Sequence, residues 1–403
     1  MKKVKRTIPL YKTKSFKSFL SSFISIILGL LFGLIIMIVT NPSNAFLKFP
    51  MLIGGWMFGA DAGKEIGRWL ELLPPLLMCG LGVGLSFKAG LFNIGASGQY
   101  TLGLFFALLI GILGKPLGPF QWLVAVLLGM LGGALWGFIP GFFKAVFNIN
   151  EVITSIMFNY IGMYMVNAII MSSSSLYNGS RGRTFTINKN AMTPTLGFEK
   201  IFPRSNVDLT LLLAIAIAIL MWVILNKTTF GFELKAAGSN REAAKYSGIN
   251  EKKSIILTMV ISGALCGLGG AFFILKADST GTGVEYVPVN VIAGEGFNGI
   301  VAALLGSSHP IGTIFSSLFI TFLQRGGFHV QPQFKEQLAN IVIAVIIYFS
   351  AFSMLIGQRF NEFVRKIKHK KNTPVNSEEL NAPPIEGVVP DDAPISNNIE
   401  GGK

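Results

Sequence analysis

Charge is scarce in this chain. Only 13% of its 403 residues are Asp, Glu, Lys or Arg, about half the share in a soluble domain. The deficit lies in long apolar runs, which excludes an ordinary soluble fold. Cysteine is nearly missing as well. Cys79 and Cys266 sit in separate apolar segments without metal-ligand spacing, so neither a structural disulfide nor a thiolate metal site is expected. The histidines His309, His329 and His369 form no HExxH pair, and no phosphate loop is present: Gly63-Lys64 continues with Glu65 where Ser or Thr is required. With no catalytic set, the chain is expected neither to be an enzyme nor to hydrolyse ATP itself. No metal or cofactor is expected.

Apolar residues make up 51% of the chain, and the mean hydropathy is +0.58. At about 20 residues per spanning helix the length accommodates an all-α, polytopic transmembrane bundle of about ten spans (8–10) in contact with membrane lipids. Apolar runs place them near 19–39, 72–87, 97–114, 121–143, 152–171, 208–226, 254–276, 291–306, 311–325 and 336–356. The net charge of +14 would suit nucleic-acid binding in a soluble protein. Here the basic residues cluster at span ends, where they set topology, and no nucleic acid is expected.

That charge distribution puts residues 1–18, rich in Lys and Arg, in the cytoplasm, ahead of a transmembrane region at 19–356. An even span count returns the C-terminus to the same side. Within the bundle, 227–253 is expected to be cytoplasmic, and 172–207 an extracytoplasmic loop with some fold of its own. That loop holds Arg181, Arg183, Lys189, Lys200 and Arg204 against the charge rule, which long loops obey less strictly. Phe19–Val39 is long enough to span and has no evident cleavage site after it, so no signal peptide is expected. The tail 357–403 turns Pro-, Asn- and acid-rich after Lys371 and is expected to be disordered.

Four segments carry polar residues in apolar surroundings. Asn93, Ser97 and Gln99 lie in the glycine-rich stretch between the second and third spans, either as a tight turn with a capped helix start or as hydrogen-bonding groups on a pathway. Glu151 stands at the edge of the fifth span and Asn159 within it. Glu151 is either a helix-start carboxylate or a buried acid needing a partner. Glu295 and Asn298 lie in Gly294-Glu295-Gly296-Phe297-Asn298-Gly299, a pathway, a hinge or an interfacial loop. The short segments on either side of Gly306-Ser307-Ser308-His309-Pro310 have the form of discontinuous helices. The fourth segment, 231–249, is a basic, helix-capable island. Gly129, Gly133 and Gly137, then Gly263, Gly267 and Gly270, recur at a spacing that lets helices approach closely.

Taken in order, these segments resemble the inner-membrane permeases of ABC importers for ribose-type sugars, branched-chain amino acids and nucleosides. The nucleoside branch, which works with a Bmp-type lipoprotein, is the nearer likeness. Residues 89–99 resemble its AGLFNIGAEGQ signature, 150–161 its NEVI…MLNYI helix start, 231–249 its coupling loop, and 294–312 its GxGFDGIAVALLGxxHPIG segment. Ser97 stands where the family usually has Glu, and Asn298 where it often has Asp, so two carboxylates are replaced.

The resemblance implies a multi-pass subunit of a bacterial plasma membrane with both termini cytoplasmic. It would move a nucleoside by alternating access. Implied partners are an ABC ATP-binding subunit, a second, unlike permease in a heterodimer, and an extracytoplasmic substrate-binding lipoprotein. Glu242, Ala243, Ala244 and Gly248 match the loop that docks on the ATPase. Asn93, Gln99, Glu151, Asn159, Glu295 and Asn298 are the candidates for the translocation path. A ribose-type sugar permease and an ion-coupled secondary transporter using Glu151 or Glu295 are the alternatives.

Overall fold

The computed structural model describes residues 14–349, apart from 60, 278–280, 336, 339 and 347. The expectations for residues 1–13 and for the tail 357–403 lie outside the described residues. The described chain is mostly helical: α1 (Lys14–Thr40), α2 (Pro42–Leu52), α3 (Ala62–Leu70), α4 (Leu73–Lys88), α5 (Ala96–Leu113), α6 (Gln121–Phe147), α7 (Glu151–Ser172), α8 (Leu209–Lys227), α9 (Thr229–Ser239), α10 (Arg241–Tyr246), α11 (Glu251–Ile274), α12 (Gly294–Leu305) and α13 (Pro310–His329). Helical backbone resumes at 340–346.

Among the described residues, six helical stretches are long and apolar enough to cross a membrane: Ala62–Lys88, Ala96–Leu113, Lys115–Phe147, Glu151–Ser172, Leu209–Lys227 and Glu251–Ile274. The apolar parts at Ile26–Thr40 and Gly294–Leu305 are shorter.

Helix starts follow from local chemistry. Asn150, Asp208, Thr228, Asn240 and Asn250 each cap the next helix by accepting a backbone N–H, as Asn250 does from Lys253 at 3.0 Å. Such a cap contributes about 1 kcal/mol. Pro310 opens α13 at a position where its missing N–H costs nothing.

The centre of the bundle is α4, α5, α6 and α11. Glycine lets their backbones touch. A methyl on Gly137 of α6 would lie 3.0 Å from the Gly263 Cα, and one on Gly267 of α11 would lie 2.8 Å from the Gly133 Cα. This is the close approach that the glycine spacing predicts. α4 and α11 run antiparallel, with Gly269 against Pro75 and Gly82 against Ser262. α5 runs alongside α11 in the same direction, Gly103 meeting Gly267 and Gly111 approaching Leu275. α12 runs with α4, Gly299 meeting Cys79 and Gly84 meeting Ala303.

A second apolar cluster joins α1, α2, α13 and the 340–346 segment through Met37, Leu52, Ile320, Leu323, Val342 and Ile346. At its edge Glu65 of α3 accepts hydrogen bonds from Arg325, and His329 Nε2 lies 2.9 Å from the same carboxylate.

The 172–207 loop is folded, as expected. β1 (Tyr177–Asn178) and β2 (Arg183–Thr184) form an antiparallel pair. Arg181 and Arg183 bind Glu285 at 2.8 and 3.3 Å. Thr184 and Tyr286 exchange two hydrogen bonds of 2.9 Å. One carboxylate thus offsets part of the charge of two of the loop's five basic residues, and a third, Arg204, pairs with Asp61 at 3.9 Å. At the loop's end the hydroxyls of Thr193 and Thr210 donate to the buried Asp208 carboxylate.

Candidate functional site at the junction of two helix starts

The first polar gathering is at the start of α5. The Asn93 side-chain amide donates to Gln99 Oε1 at 2.9 Å and to Ser262 Oγ at 2.8 Å, while its carbonyl oxygen accepts from the Gly95 N–H at 3.0 Å. Ser262 in turn donates to the Gly82 carbonyl at 2.7 Å. Asn159 accepts from the Gly98 N–H at 2.8 Å and donates to the Ile94 carbonyl at 3.0 Å. All three predicted residues, Asn93, Gln99 and Asn159, are buried. Their polar groups are engaged by protein, so this knot fixes the start of α5 against α4, α7 and α11. A buried group of this kind costs about 1–3 kcal/mol when it loses its partner.

The knot also fixes where α5 starts along its neighbours. Asn159 lies about 12 Å along α7 from its first residue, Glu151, and Ser262 about 17 Å along α11 from Glu251, at 1.5 Å per residue. α5 therefore begins beside the interiors of two long apolar helices rather than at their ends. The first turn of α12 meets it there. Gly296 packs so tightly on Ser97 that a methyl would lie 2.6 Å from the Ser97 Cα. From this meeting point α5 runs with α11 and α12 with α4, so the two helices leave in opposite directions with their N-termini together. Discontinuous helices that meet near mid-depth are the usual builders of transporter binding sites.

A cavity of about 70 Å³ opens beside the junction. Glu295 and Asn298, one turn apart on α12, line it together with Glu71, Phe273, Lys276 and Gln324. Two of the six predicted path residues thus share a cavity, three share the knot, and Glu151 stands apart from both. The Glu151 carboxylate is 3.0 Å from the Lys144 ammonium at the end of α6, a pairing that accounts for its place in the first turn of α7.

Residues 227–253 form two short helices, α9 and α10, rather than one. Glu242 and Ala243 are exposed on α10, whereas Ala244 is buried. Gly248 follows with φ of +83°, a left-handed conformation that suits glycine, and the Ile249 N–H closes the turn on the Ala244 carbonyl at 3.1 Å. The α9 end of this pair touches the bundle: a methyl on Gly90 would lie 3.0 Å from the Gly238 carbonyl oxygen.

Sequence reasoning missed Glu71, Phe273, Lys276, Gln324 and Tyr100. None has a local signal, because each belongs to a helix end or an apolar run and meets the others only in the fold. Among the described residues no three His, Cys, Asp or Glu side chains gather to hold a metal.

Residues 66–351 match the family described as branched-chain amino acid transport system / permease component. The chain is 36% identical over 327 residues to the guanosine ABC transporter permease protein NupP of Bacillus subtilis (strain 168), covering 80% of this chain and 90% of that one. It is 35% identical over 303 residues to the nucleoside ABC transporter permease protein NupB of Lactococcus lactis subsp. cremoris (strain MG1363), covering 73% and 81%. It is also 31% identical over 287 residues to the glucose ABC transporter permease protein TsgB13 of Haloferax volcanii, covering 68% and 73%. No solved structure matches the chain.

Proposed function

We propose that this chain, which belongs to the branched-chain amino acid transport system permease family, moves nucleosides through a membrane as one permease subunit of an ABC importer. Its similarity to two nucleoside-type permeases over most of its length carries this reading. Its family is one of permease subunits, so it is a transport component and not an enzyme. ATP is hydrolysed in a partner subunit, and an extracytoplasmic lipoprotein delivers the substrate. A second, unlike permease completes the pathway.

In this reading the bundle has ten spans, with α1, α12, α13 and the segment around 340–346 added to the six long apolar stretches. Residues 1–18, 227–253 and 357–403 face the cytoplasm, and 172–207 faces outside. α9 and α10 dock on the ATPase. Because Ala244 packs inward, the docking face consists of Glu242 and Ala243, with Gly248 releasing the chain into α11. Closure of the ATPase subunits pulls on this pair. The pull reaches the α5–α12 junction through the α9 contact with Gly90, just ahead of Asn93. The permease supplies two discrete arrangements and the ATPase supplies the bias between them.

The translocation path passes the cavity lined by Glu295 and Asn298, with Asn93, Gln99 and Asn159 beside it as the frame and Glu151 near its cytoplasmic end. The glucose permease relative makes a sugar the second reading, since a sugar and a nucleoside share hydroxyl-rich chemistry. ATP-dependent uptake of labelled nucleoside, measured against glucose, tests which one is carried.

A further inference from the structure

Two hydroxyls of α5 have no hydrogen-bond partner among the described residues, and a third, Ser155 Oγ of α7, lies against Gly95 just ahead of α5. Ser97 Oγ and Tyr100 Oη are both buried and unpartnered, although a buried hydroxyl normally finds one. They lie three residues apart on α5 and so on neighbouring positions of one helix face. Ser97 faces the first turn of α12, where Gly296 touches it and Glu295 is the adjoining residue. The Tyr100 ring centroid is 6.3 Å from that of Phe273, which lines the cavity with Glu295, Asn298 and Lys276. The carboxyl group, the amide and the aromatic face thus line one cavity, and the two unpartnered hydroxyls stand just behind that lining, Ser97 against Gly296 and Tyr100 beside Phe273.

The lining indicates what fits. Two carboxyl groups, Glu71 and Glu295, stand with a single ammonium, Lys276. That balance disfavours a phosphate and accepts a neutral molecule. A carboxyl group offers two oxygens side by side, which match the paired donors of a vicinal diol. Protein carboxylates hold ribose hydroxyls in this way in dinucleotide sites. The hydroxyls of Ser97 and Tyr100 both donate and accept, as sugar hydroxyls do. Phe273 offers a flat apolar surface to the ring. At about 70 Å³ the cavity is well below the roughly 300–1,000 Å³ of ligand pockets, so α12 must draw back from α5 to admit a whole nucleoside.

We propose that the α5–α12 junction is a ribose subsite, in which Glu295 accepts hydrogen bonds from the 2′- and 3′-hydroxyls of a nucleoside while Ser97, Tyr100 and Asn298 bond the remaining sugar oxygens. The proposal rests on the nucleoside reading and makes the permease itself, and not the delivering lipoprotein alone, a selector of ribonucleosides over deoxynucleosides.

The test is equilibrium binding of tritiated uridine to the purified complete transporter in nanodiscs, with the lipoprotein omitted and 2′-deoxyuridine or 3′-deoxyuridine as competitor. ATP-dependent uridine uptake with the lipoprotein present is measured in parallel. Wild type is expected to prefer uridine about tenfold over either deoxynucleoside, and Glu295→Gln to lose most of that preference. Tyr100→Phe and Ser97→Ala, which remove unpartnered hydroxyls and spare the packing, are expected to weaken uridine binding severalfold at normal abundance. Equal competition by deoxyuridines in wild type, a preference that survives in Glu295→Gln, or no uridine binding at millimolar concentration would each overturn the ribose subsite while uptake continues. Loss of the nucleoside reading shows separately, as a wild-type transporter that takes up no uridine even with its lipoprotein.

Discussion

Gly296 of α12 is seated directly on Ser97 of α5, with no room between them for a methyl group. Two helix starts from distant parts of the chain thus share one contact beside the middles of the helices around them. If substrate passes here, this contact is what must open and close.

Replacing Gly296 by Ala should hold the junction apart. Overpacking of this kind costs about 1–3 kcal/mol, and the strain falls on the helices expected to move. Uptake should drop at least fivefold while the protein still reaches the membrane at a detectable level. Normal uptake by Gly296→Ala would show that the two helix starts need not come this close.

Asn159→Ala should behave differently. It leaves the Gly98 N–H and the Ile94 carbonyl without their partner, at about 1–3 kcal/mol for a buried group. Thermal unfolding in detergent should shift to lower temperature, and abundance should fall in step with uptake. Unchanged thermal stability with altered selectivity would instead put Asn159 in contact with substrate.

For topology, the account predicts that a cysteine at Ser180 is labelled from outside intact cells and one at Asn240 is not. The background lacks Cys79 and Cys266, which are both buried. Labelling at Asn240 with protection at Ser180 would invert the whole arrangement.

Coupling should be sensitive to Ala243, which is exposed on α10. Ala243→Trp is expected to leave insertion and folding unchanged and to reduce co-purification of the ATPase or the ratio of uptake to ATP hydrolysed. Full coupling in this variant would remove α10 from the docking surface. Ala244→Trp is a poorer probe, because the buried Ala244 would report packing.

Much of the fold was legible in the sequence because apolar periodicity and caps are local. Helices occur at the described positions expected for spans, and the glycines of α6 and α11 meet as their spacing implies. The junction was legible only in part. Asn93 and Ser262 are partners across 169 residues, and no local pattern links them. The run at 97–114 has the length of a full span, so its start beside the middles of α7 and α11 could not be read from hydropathy. The cavity draws on the ends of α4, α11 and α13, where Glu71, Lys276 and Gln324 look like ordinary interfacial residues. The burial of Ala244 beside exposed Glu242 and Ala243 has no signature in the sequence, because a six-residue helix is too short for periodicity to distinguish its inner face from its outer.

The central claim is that this permease carries nucleosides at the cost of ATP. The most direct measurement is accumulation of tritiated uridine by proteoliposomes holding the permease, its partner permease, the ATPase and the lipoprotein. The account predicts uptake that requires ATP, is blocked by excess unlabelled nucleoside, and is indifferent to excess glucose. Uptake of glucose without uridine, or uridine uptake that proceeds without ATP, would contradict it.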